Sequence, residues 1–153
     1  NCADFAAPGD MPGNIRKFCS GTNQADNLSD SEVARTVYDS LALCFRQKLE
    51  LLESLQNTTY QCLNIVGGGT KDRFLMQLAA SALNRKVITG PVEATASGNI
   101  LAQAIASGEL SGIDQAREVV RNSFELEIFE PDPADAERYQ QEYARFCKIT
   151  EMK

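Results

Sequence analysis

The sequence contains no histidine among its 153 residues. A Ser–His–Asp triad and a Cys–His pair are therefore excluded within it, and imidazole cannot complete a zinc site. Any acid–base catalysis would fall to Asp, Glu, Lys, Tyr or Cys. Long apolar runs are lacking too: none approaches the ~20 residues that cross a bilayer, and no stretch shows the pattern of a secretory signal. The sequence thus predicts neither a histidine-dependent enzyme nor a membrane protein.

The net charge and the use of cysteine further restrict the class of protein and its possible partners. The net charge is −6 and there is no basic stripe, so nucleic acid and anionic membranes are not expected as partners. The five cysteines are odd in number and widely spaced, with no C-x-x-C pair. This usage predicts reduced, mostly buried thiols in a cytoplasmic protein, and no metal site. The length fits one domain with a modest single core.

Helical periodicity dominates the first third of the chain. A short helix is predicted over residues 11–20, within a polar, turn-rich lead-in of residues 1–28. Ser29 and Glu32 form a capping-box pattern, which predicts a long helix over residues 30–56. Apolar residues recur on one face of that helix at spacings of three and four: Val33, Val37, Leu41, Phe45, Leu52 and Leu55.

Two short strands are predicted next, over residues 60–66 and 86–89. The helix between them, residues 71–83, should be a right-handed crossover, which makes the two strands parallel. Its apolar residues are expected to face inward: Phe74, Leu75, Leu78, Ala79 and Ala82. The fold class is therefore α/β, with a small parallel sheet flanked by helices. Two strands are few for such a layer, so initial strands are expected to lie outside these 153 residues.

Three more helices are predicted over residues 94–107, 113–122 and 134–147. The first is rich in alanine, serine and glycine, and small side chains of this kind predict close packing against the sheet. The acidic run of residues 130–137 comes just before the last helix. It lacks the D-x-D-x-D-G spacing of a calcium loop, so a solvated helix start is favoured over a metal site.

The strongest candidate site is a glycine triplet, Gly67, Gly68 and Gly69, where the first strand ends. Glycine lets the backbone turn sharply and approach a ligand closely, and the helix that follows directs unpaired N–H groups at the same place. The pattern matches neither a P-loop nor G-x-G-x-x-G. On spacing alone, a ligand-binding turn and a tight turn without a ligand are equally open.

Residues 93–99 (Glu-Ala-Thr-Ala-Ser-Gly-Asn) follow the second strand in the same way. Ligands favour the carboxyl ends of parallel strands, and the two segments should lie at adjacent ends. Taken together they favour a nucleotide site over two unrelated turns. Lys71 and Arg73 could meet phosphate, but charges at a helix start are common on protein surfaces, so surface charge is favoured over phosphate contact.

These segments resemble a known family. Residues 65–69 (Ile-Val-Gly-Gly-Gly) and 90–99 (Gly-Pro-Val-Glu-Ala-Thr-Ala-Ser-Gly-Asn) are similar to the C-terminal domain of the FGGY carbohydrate kinases. Residues 8–12 (Pro-Gly-Asp-Met-Pro) and 40–43 (Ser-Leu-Ala-Leu) narrow the resemblance to the rhamnulokinase branch. It extends over about residues 8–147, nearly the whole chain.

The resemblance implies an actin-like, ribonuclease-H-type fold, a portion of which would occupy residues 1–153. It also implies transfer of the γ-phosphoryl group of ATP, with Mg²⁺, to L-rhamnulose, giving the 1-phosphate. By the same resemblance Gly67, Gly68 and Gly69 lie against the adenosine and α-phosphate. Asp72 and Arg73, at the helix start, belong to the nucleotide site; the family often has asparagine in place of Asp72.

The resemblance assigns no catalytic or metal-binding residue to this chain. The family's catalytic aspartate precedes this segment, and most sugar contacts lie in the other domain of the kinase. The 153 residues alone are therefore expected to be inactive, and an exposed sheet edge is expected to pair with another chain. Two alternatives stay open: a kinase for another ketose such as L-fuculose, and a non-catalytic, actin-like module that binds nucleotide or a partner.

Overall fold

The computed structural model describes residue 5 and residues 9–151, and in that part of the chain it confirms a small α/β fold. Cys2 and part of the 8–12 segment lie outside the described residues. The elements in chain order are α1 (Met11–Gly21), α2 (Asp30–Gln56), β1 (Cys62–Ile65), a 3₁₀ turn (Gly68–Lys71), α3 (Arg73–Leu83), β2 (Lys86–Thr89), α4 (Ala94–Ala106), α5 (Ile113–Ser123), β3 (Ile128–Phe129) and α6 (Pro133–Glu151).

Helix α2 begins and ends where the sequence predicts. The Ser29 hydroxyl accepts the N–H of Glu32, and the Glu32 carboxylate accepts the N–H of Ser29 over 2.8 Å, which completes the capping box. Asn57 adopts a left-handed conformation, with φ of 48°, and ends the helix. The capping box of Ser29 and Glu32 is of a kind that stabilises a helix by about 1 kcal/mol, because it satisfies N–H groups at the helix start that have no partner inside the helix.

The apolar face predicted for α2 is only partly the buried one. Val33 is buried and Phe45 packs against the core. Four other members of the predicted face are more than 40% exposed: Val37, Leu41, Leu52 and Leu55. The buried side of the helix carries instead Ala42, Leu43 and Leu49. The prediction fails here because α3 and α6 both pack on that other side, and periodicity does not specify which apolar stripe meets a neighbouring element.

Helix α3 is the centre of the molecule, with α2 and α6 packed against it. Seven of its residues are buried: Met76, Leu78, Ala79, Ala80, Ser81, Ala82 and Leu83. One core cluster joins α3 to the sheet through Val87 and Phe129, and a second joins it to α6 through Tyr139. Phe74 was predicted to face inward but is 51% exposed, since it lies in the first turn, with its ring edge-on to Tyr38.

The sheet has three strands in the order β1-β2-β3. Strands β1 and β2 are parallel, as predicted, with Cys62 opposite Lys86 and Ile65 opposite Thr89. Strand β3 was missed; it runs antiparallel to β2, so the sheet is mixed rather than purely parallel. It has only two residues and follows two helices, with no tight turn to predict the pairing. Within the described residues β1 pairs with β2 alone and forms an edge.

Helix α4 forms as predicted but does not pack as predicted. None of its residues is buried, and its main neighbour is α5 rather than the sheet. A Cβ placed on Gly98 would meet nothing within 4 Å, so this glycine makes no close packing contact in the described part of the chain. None of the helices described combines the length and the hydropathy that a bilayer-spanning helix requires.

Candidate functional site

The two sequence motifs meet at the carboxyl end of the sheet. The N–H of Gly90 donates to the carbonyl oxygen of Ile65 over 2.7 Å, and the N–H of Gly67 donates to the carbonyl oxygen of Pro91 over 3.0 Å. The hydrogen bonds between the two segments thus continue past the ends of β1 and β2. This confirms that the glycine triplet and the segment after β2 lie side by side.

Close approach at this edge requires glycine at position 90. A Cβ built on Gly90 would lie 2.6 Å from Cγ1 of Val66, a separation that real side chains do not tolerate. Val66 is branched at Cβ, so it has little freedom to move aside. The absence of a side chain at Gly90 therefore lets the two strand ends reach hydrogen-bonding distance.

The glycine triplet forms an open turn. Gly67 has φ of 93° and ψ of −177°, a conformation that essentially only glycine adopts. Gly68 and Gly69 are exposed, and a Cβ on either would meet no atom within 4 Å. Thr70 closes the turn, because its N–H and its hydroxyl both donate to the carbonyl oxygen of Gly67, at 3.1 and 2.8 Å. The turn thus presents exposed main chain at the sheet edge.

The helix after the triplet differs from the prediction. A 3₁₀ turn follows the glycines, and α3 begins at Arg73 rather than at residue 71. Asp72 is its N-cap: Oδ1 accepts the N–H of Leu75 over 3.0 Å. The N–H groups at this helix start are therefore partly satisfied, and a carboxylate stands where a phosphate would otherwise be attracted. The Asp72 carboxylate therefore disfavours a phosphate at this helix start.

The second oxygen of Asp72 is also engaged. Tyr38 on α2 donates its hydroxyl proton to Oδ2 over 2.7 Å, and this hydrogen bond, together with the charge of the carboxylate, raises the pKa of Tyr38. The Tyr38 ring packs edge-on against Phe74, with 5.1 Å between centroids. Asp72 therefore fastens the start of α3 to α2, which accounts for its presence structurally; its contact with a nucleotide stays a prediction.

Arg73 is held by residues that sequence reasoning missed. Its Nη1 lies 3.1 Å from Oε1 and 3.0 Å from Oε2 of Glu127, and it donates its hydrogen bond to Oε1. Its guanidinium carbon lies 5.7 Å from the centroid of the Phe129 ring. The alternation of apolar and acidic residues over 124–128 is a strand signal that predicts one face for Glu127 and the other for Ile128. That signal was available in the sequence.

The acidic run before α6 is a helix start, as predicted. Oδ1 of Asp132 accepts the N–H groups of Ala134 and Asp135, each over 3.0 Å. Among the described residues no three Cys, Asp or Glu side chains lie close enough together to hold a metal ion. Of the four cysteines described, Cys19 is buried, the other three are partly exposed, and all are free thiols.

Among the residues described, this region exposes main chain and has both of its carboxylates engaged. It combines exposed main chain at Gly68 and Gly69 with one partly neutralised guanidinium, that of Arg73. Its two carboxylates already have partners: Asp72 caps α3, and Glu127 pairs with Arg73. All five predicted site residues lie in this one region, at the carboxyl end of β1 and the start of α3.

Comparison with known proteins gives consistent matches. Residues 2–107 match the model of the FGGY family of carbohydrate kinases, C-terminal domain. The chain is 42% identical over 141 residues to a rhamnulokinase of Enterococcus faecalis, covering 89% of this chain and 28% of that protein. It is 37% identical over 131 residues to a rhamnulokinase of Bacillus subtilis, covering 86% and 27%. The chain thus spans little more than a quarter of the length of these curated relatives.

A solved structure supports the fold. The structure of xylulose kinase from Rhodospirillum rubrum superimposes with a TM-score of 0.63 at 22% identity, covering 96% of this chain and 36% of that one. At this identity the match shows the fold alone. The predicted actin-like α/β class is thereby confirmed, with a mixed rather than a parallel sheet.

Proposed function

The chain belongs to the FGGY family of carbohydrate kinases, and we propose that its glycine triplet forms one wall of the ATP site of such a kinase. The observation that carries the proposal is the hydrogen bond from Gly67 to Pro91, which places both nucleotide-type motifs at one sheet edge. Gly68 and Gly69 leave the main chain uncovered there, so a ligand can approach closely.

Within that site, Gly67, Gly68 and Gly69 would lie against the adenosine and the α-phosphate. Arg73 would contribute to the adenine pocket, with Asp72 fixing the helix start beside it. This assignment agrees with the charge of the site, because the Asp72 carboxylate disfavours a phosphate at the start of α3. The transferred phosphoryl group would then lie farther from α3, toward the sugar.

The proposed reaction is phosphorylation of L-rhamnulose to L-rhamnulose 1-phosphate. Two curated rhamnulokinases at 37% and 42% identity support that substrate. No observation favours another ketose or a non-catalytic module. The match covers about a quarter of each relative, so the sugar contacts are proposed to lie mostly in the rest of the kinase.

The residues described fit a nucleotide better than a magnesium ion. The open turn at Gly68 and Gly69 offers main-chain contacts to ATP, whereas no cluster of three acidic side chains exists in the described part of the chain. Bound Mg²⁺ would neutralise charge on the phosphates. We propose that residues of the rest of the kinase supply its ligands and the catalytic aspartate. The kinase is further proposed to be cytoplasmic.

An activity assay tests whether the 153 residues need the rest of the kinase for phosphoryl transfer. Phosphoryl transfer depends on positioning and charge stabilisation across a closed cleft. We expect the purified 153-residue chain to show no ATP- and rhamnulose-dependent turnover in a coupled assay. Turnover above the rate of a protein-free control would contradict this part of the proposal.

Calorimetric titration with ATP tests the site itself. We expect weak binding by the chain and a loss of about tenfold in Gly68→Leu, because the added side chain fills the space that the nucleotide would enter. Gly21→Leu is the matched control, since a Cβ there also meets nothing within 4 Å but the residue lies on α1, which packs against α2. Absence of binding by the wild-type chain, or equal losses in the two variants, would contradict the proposal.

A further inference from the structure

The side chain of Glu127 is placed at the candidate site by its own backbone. The N–H of Glu127 donates to the hydroxyl of Thr89 over 3.0 Å, and the N–H of Thr89 donates to the carbonyl oxygen of Glu127 over 2.9 Å. Thr89 is the last residue of β2 and is buried. These two hydrogen bonds fix Glu127 at the carboxyl end of the sheet, beside the start of α3.

The carboxylate of Glu127 depends on Arg73. Its Oε2 is buried and accepts no hydrogen bond from any described residue, although Nη1 of Arg73 lies 3.0 Å away. The charge of Arg73 is therefore what compensates this oxygen. A buried carboxylate oxygen that loses such compensation is costly, so the two side chains are expected to act as a unit.

Phe129 gives Arg73 a second contact. Its ring is buried in the core, and the guanidinium carbon of Arg73 lies 5.7 Å from the ring centroid, within reach of a cation–π interaction. The Arg73 side chain is nevertheless 72% exposed. Most of the Arg73 side chain thus stays open to a ligand while its guanidinium group contacts Glu127 and Phe129.

We propose that Glu127 and Phe129 are positioning residues that hold the guanidinium of Arg73 against the base of the bound nucleotide. The inference rests on the proposed function. It adds to that function Glu127, which directly precedes β3, and Phe129, which lies in β3. Pairing with Glu127 offsets the charge of Arg73 and makes it a poorer partner for phosphate. A planar guanidinium stacks well on an aromatic base, and its fixed position lowers the entropy lost on binding.

A double-mutant cycle on the 153-residue chain tests this, with adenosine and ATP as separate probes. Arg73→Ala should weaken binding of adenosine and of ATP by the same factor, about two- to fivefold, because the base is common to both. Glu127→Gln should weaken both by a similar factor. In the Arg73→Ala background, Glu127→Gln should cause no further loss, because Glu127 acts through Arg73.

Lys71→Ala is the matched control, since it removes the same charge two residues away. Within the described residues Lys71 forms no ion pair with Glu127, so its effect should add to that of Glu127→Gln. Equal losses from Glu127→Gln with and without Arg73 would show a general structural role and overturn the inference. A loss for ATP but not for adenosine in Arg73→Ala would assign Arg73 to the phosphates and overturn it as well.

The outcome separates the two proposals. If Gly68→Leu weakens ATP binding about tenfold and the cycle shows no coupling, the ATP site stands and the positioning role fails. If the wild-type chain binds neither adenosine nor ATP, the proposed function fails first. Thermal melting of each variant by circular dichroism measures any loss of fold independently of ligand.

Discussion

The N–H of Gly67 donates a hydrogen bond to the carbonyl oxygen of Pro91 over 3.0 Å. One residue begins the turn after β1, and the other follows the end of β2. The bond therefore joins two segments that are separate in sequence into one structural unit. Changes at either segment should disturb the other, so this edge should link stability to the proposed nucleotide binding.

Gly90→Ala should destabilise the chain by about 1–3 kcal/mol, the usual cost of overpacking. The new Cβ would lie 2.6 Å from Cγ1 of Val66 and push the two strand ends apart. Adding Val66→Ala should recover most of the loss, because it removes the atom in conflict. Urea unfolding of the single and double variants measures this. Gly98→Ala is the control and should stabilise α4 by about 0.5–1 kcal/mol; a loss in that variant equal to that of Gly90→Ala would contradict the argument.

Gly67→Ala should cost about 1–3 kcal/mol for a different reason, backbone strain. At φ of 93° and ψ of −177° a Cβ meets its own backbone, although no neighbouring atom lies within 4 Å. Gly69→Ala, which does not have a positive φ, should change the free energy of unfolding much less. Chemical denaturation measures both variants. Equal destabilisation of Gly67→Ala and Gly69→Ala would show that the positive φ of Gly67 is not the cause of the lost stability.

Asp39→Asn should destabilise the chain at neutral pH by about 1–3 kcal/mol. Burial alone would raise the pKa of Asp39, but hydrogen bonds from Arg35 and Tyr139 and the charges of Arg35 and Arg138 outweigh it, so the pKa is lowered. A lowered pKa gives stability that is present above the unfolded value, about 3.9, and is lost as the pH falls below it. Denaturation should be measured between pH 7 and pH 3. The difference in the free energy of unfolding between the wild-type chain and Asp39→Asn should stay constant down to about pH 4 and narrow below it. A difference independent of pH would argue against the ionised carboxylate as its source.

Tyr139→Phe tests the hydrogen bond between Tyr139 and Asp39 at alkaline pH. Burial, followed by the hydrogen bond to Asp39 and the charge of that carboxylate, raises the pKa of Tyr139 to about 12. A raised pKa gives stability that is complete below the unfolded value, about 10, and is lost as the pH rises toward 12. The free energy of unfolding of the variant should be about 1 kcal/mol lower at pH 7. The variant should also lack the loss of stability that the ionisation of Tyr139 causes as the pH rises from about 10 toward 12. An unchanged decline in the variant, followed by circular dichroism, would assign that loss to another group.

The edge of β1 is expected to make the isolated chain self-associate. Within the described residues β1 pairs on one side only, and Val66, which directly follows this strand, is more than half exposed. Light scattering should show a mass that rises with concentration, and Asn64→Lys on the exposed side of β1 should reduce it. A monodisperse monomer with a cooperative melt would contradict this expectation.

The sequence predicted most elements because their signals are local. The Ser29–Glu32 capping box and Asn57 mark the ends of α2, and β2 occupies the predicted residues. It missed β3, although residues 124–128 alternate, because a two-residue strand gains its pairing from distant β2. It also placed the small-residue helix against the sheet, whereas α4 contacts chiefly α5. Which neighbour covers a face depends on topology, and periodicity alone carries no information about it.

The sequence by itself determined where the chain turns and which family it resembles. A glycine triplet after an apolar strand restricts the backbone locally, whatever surrounds it. Only the tertiary structure decided that Asp72 caps α3 and binds Tyr38, and that Glu127 and Phe129 reach Arg73. The physical reason is that a local conformation depends on neighbouring residues in the chain. Charge compensation at the site depends instead on which strands the sheet hydrogen bonds bring together.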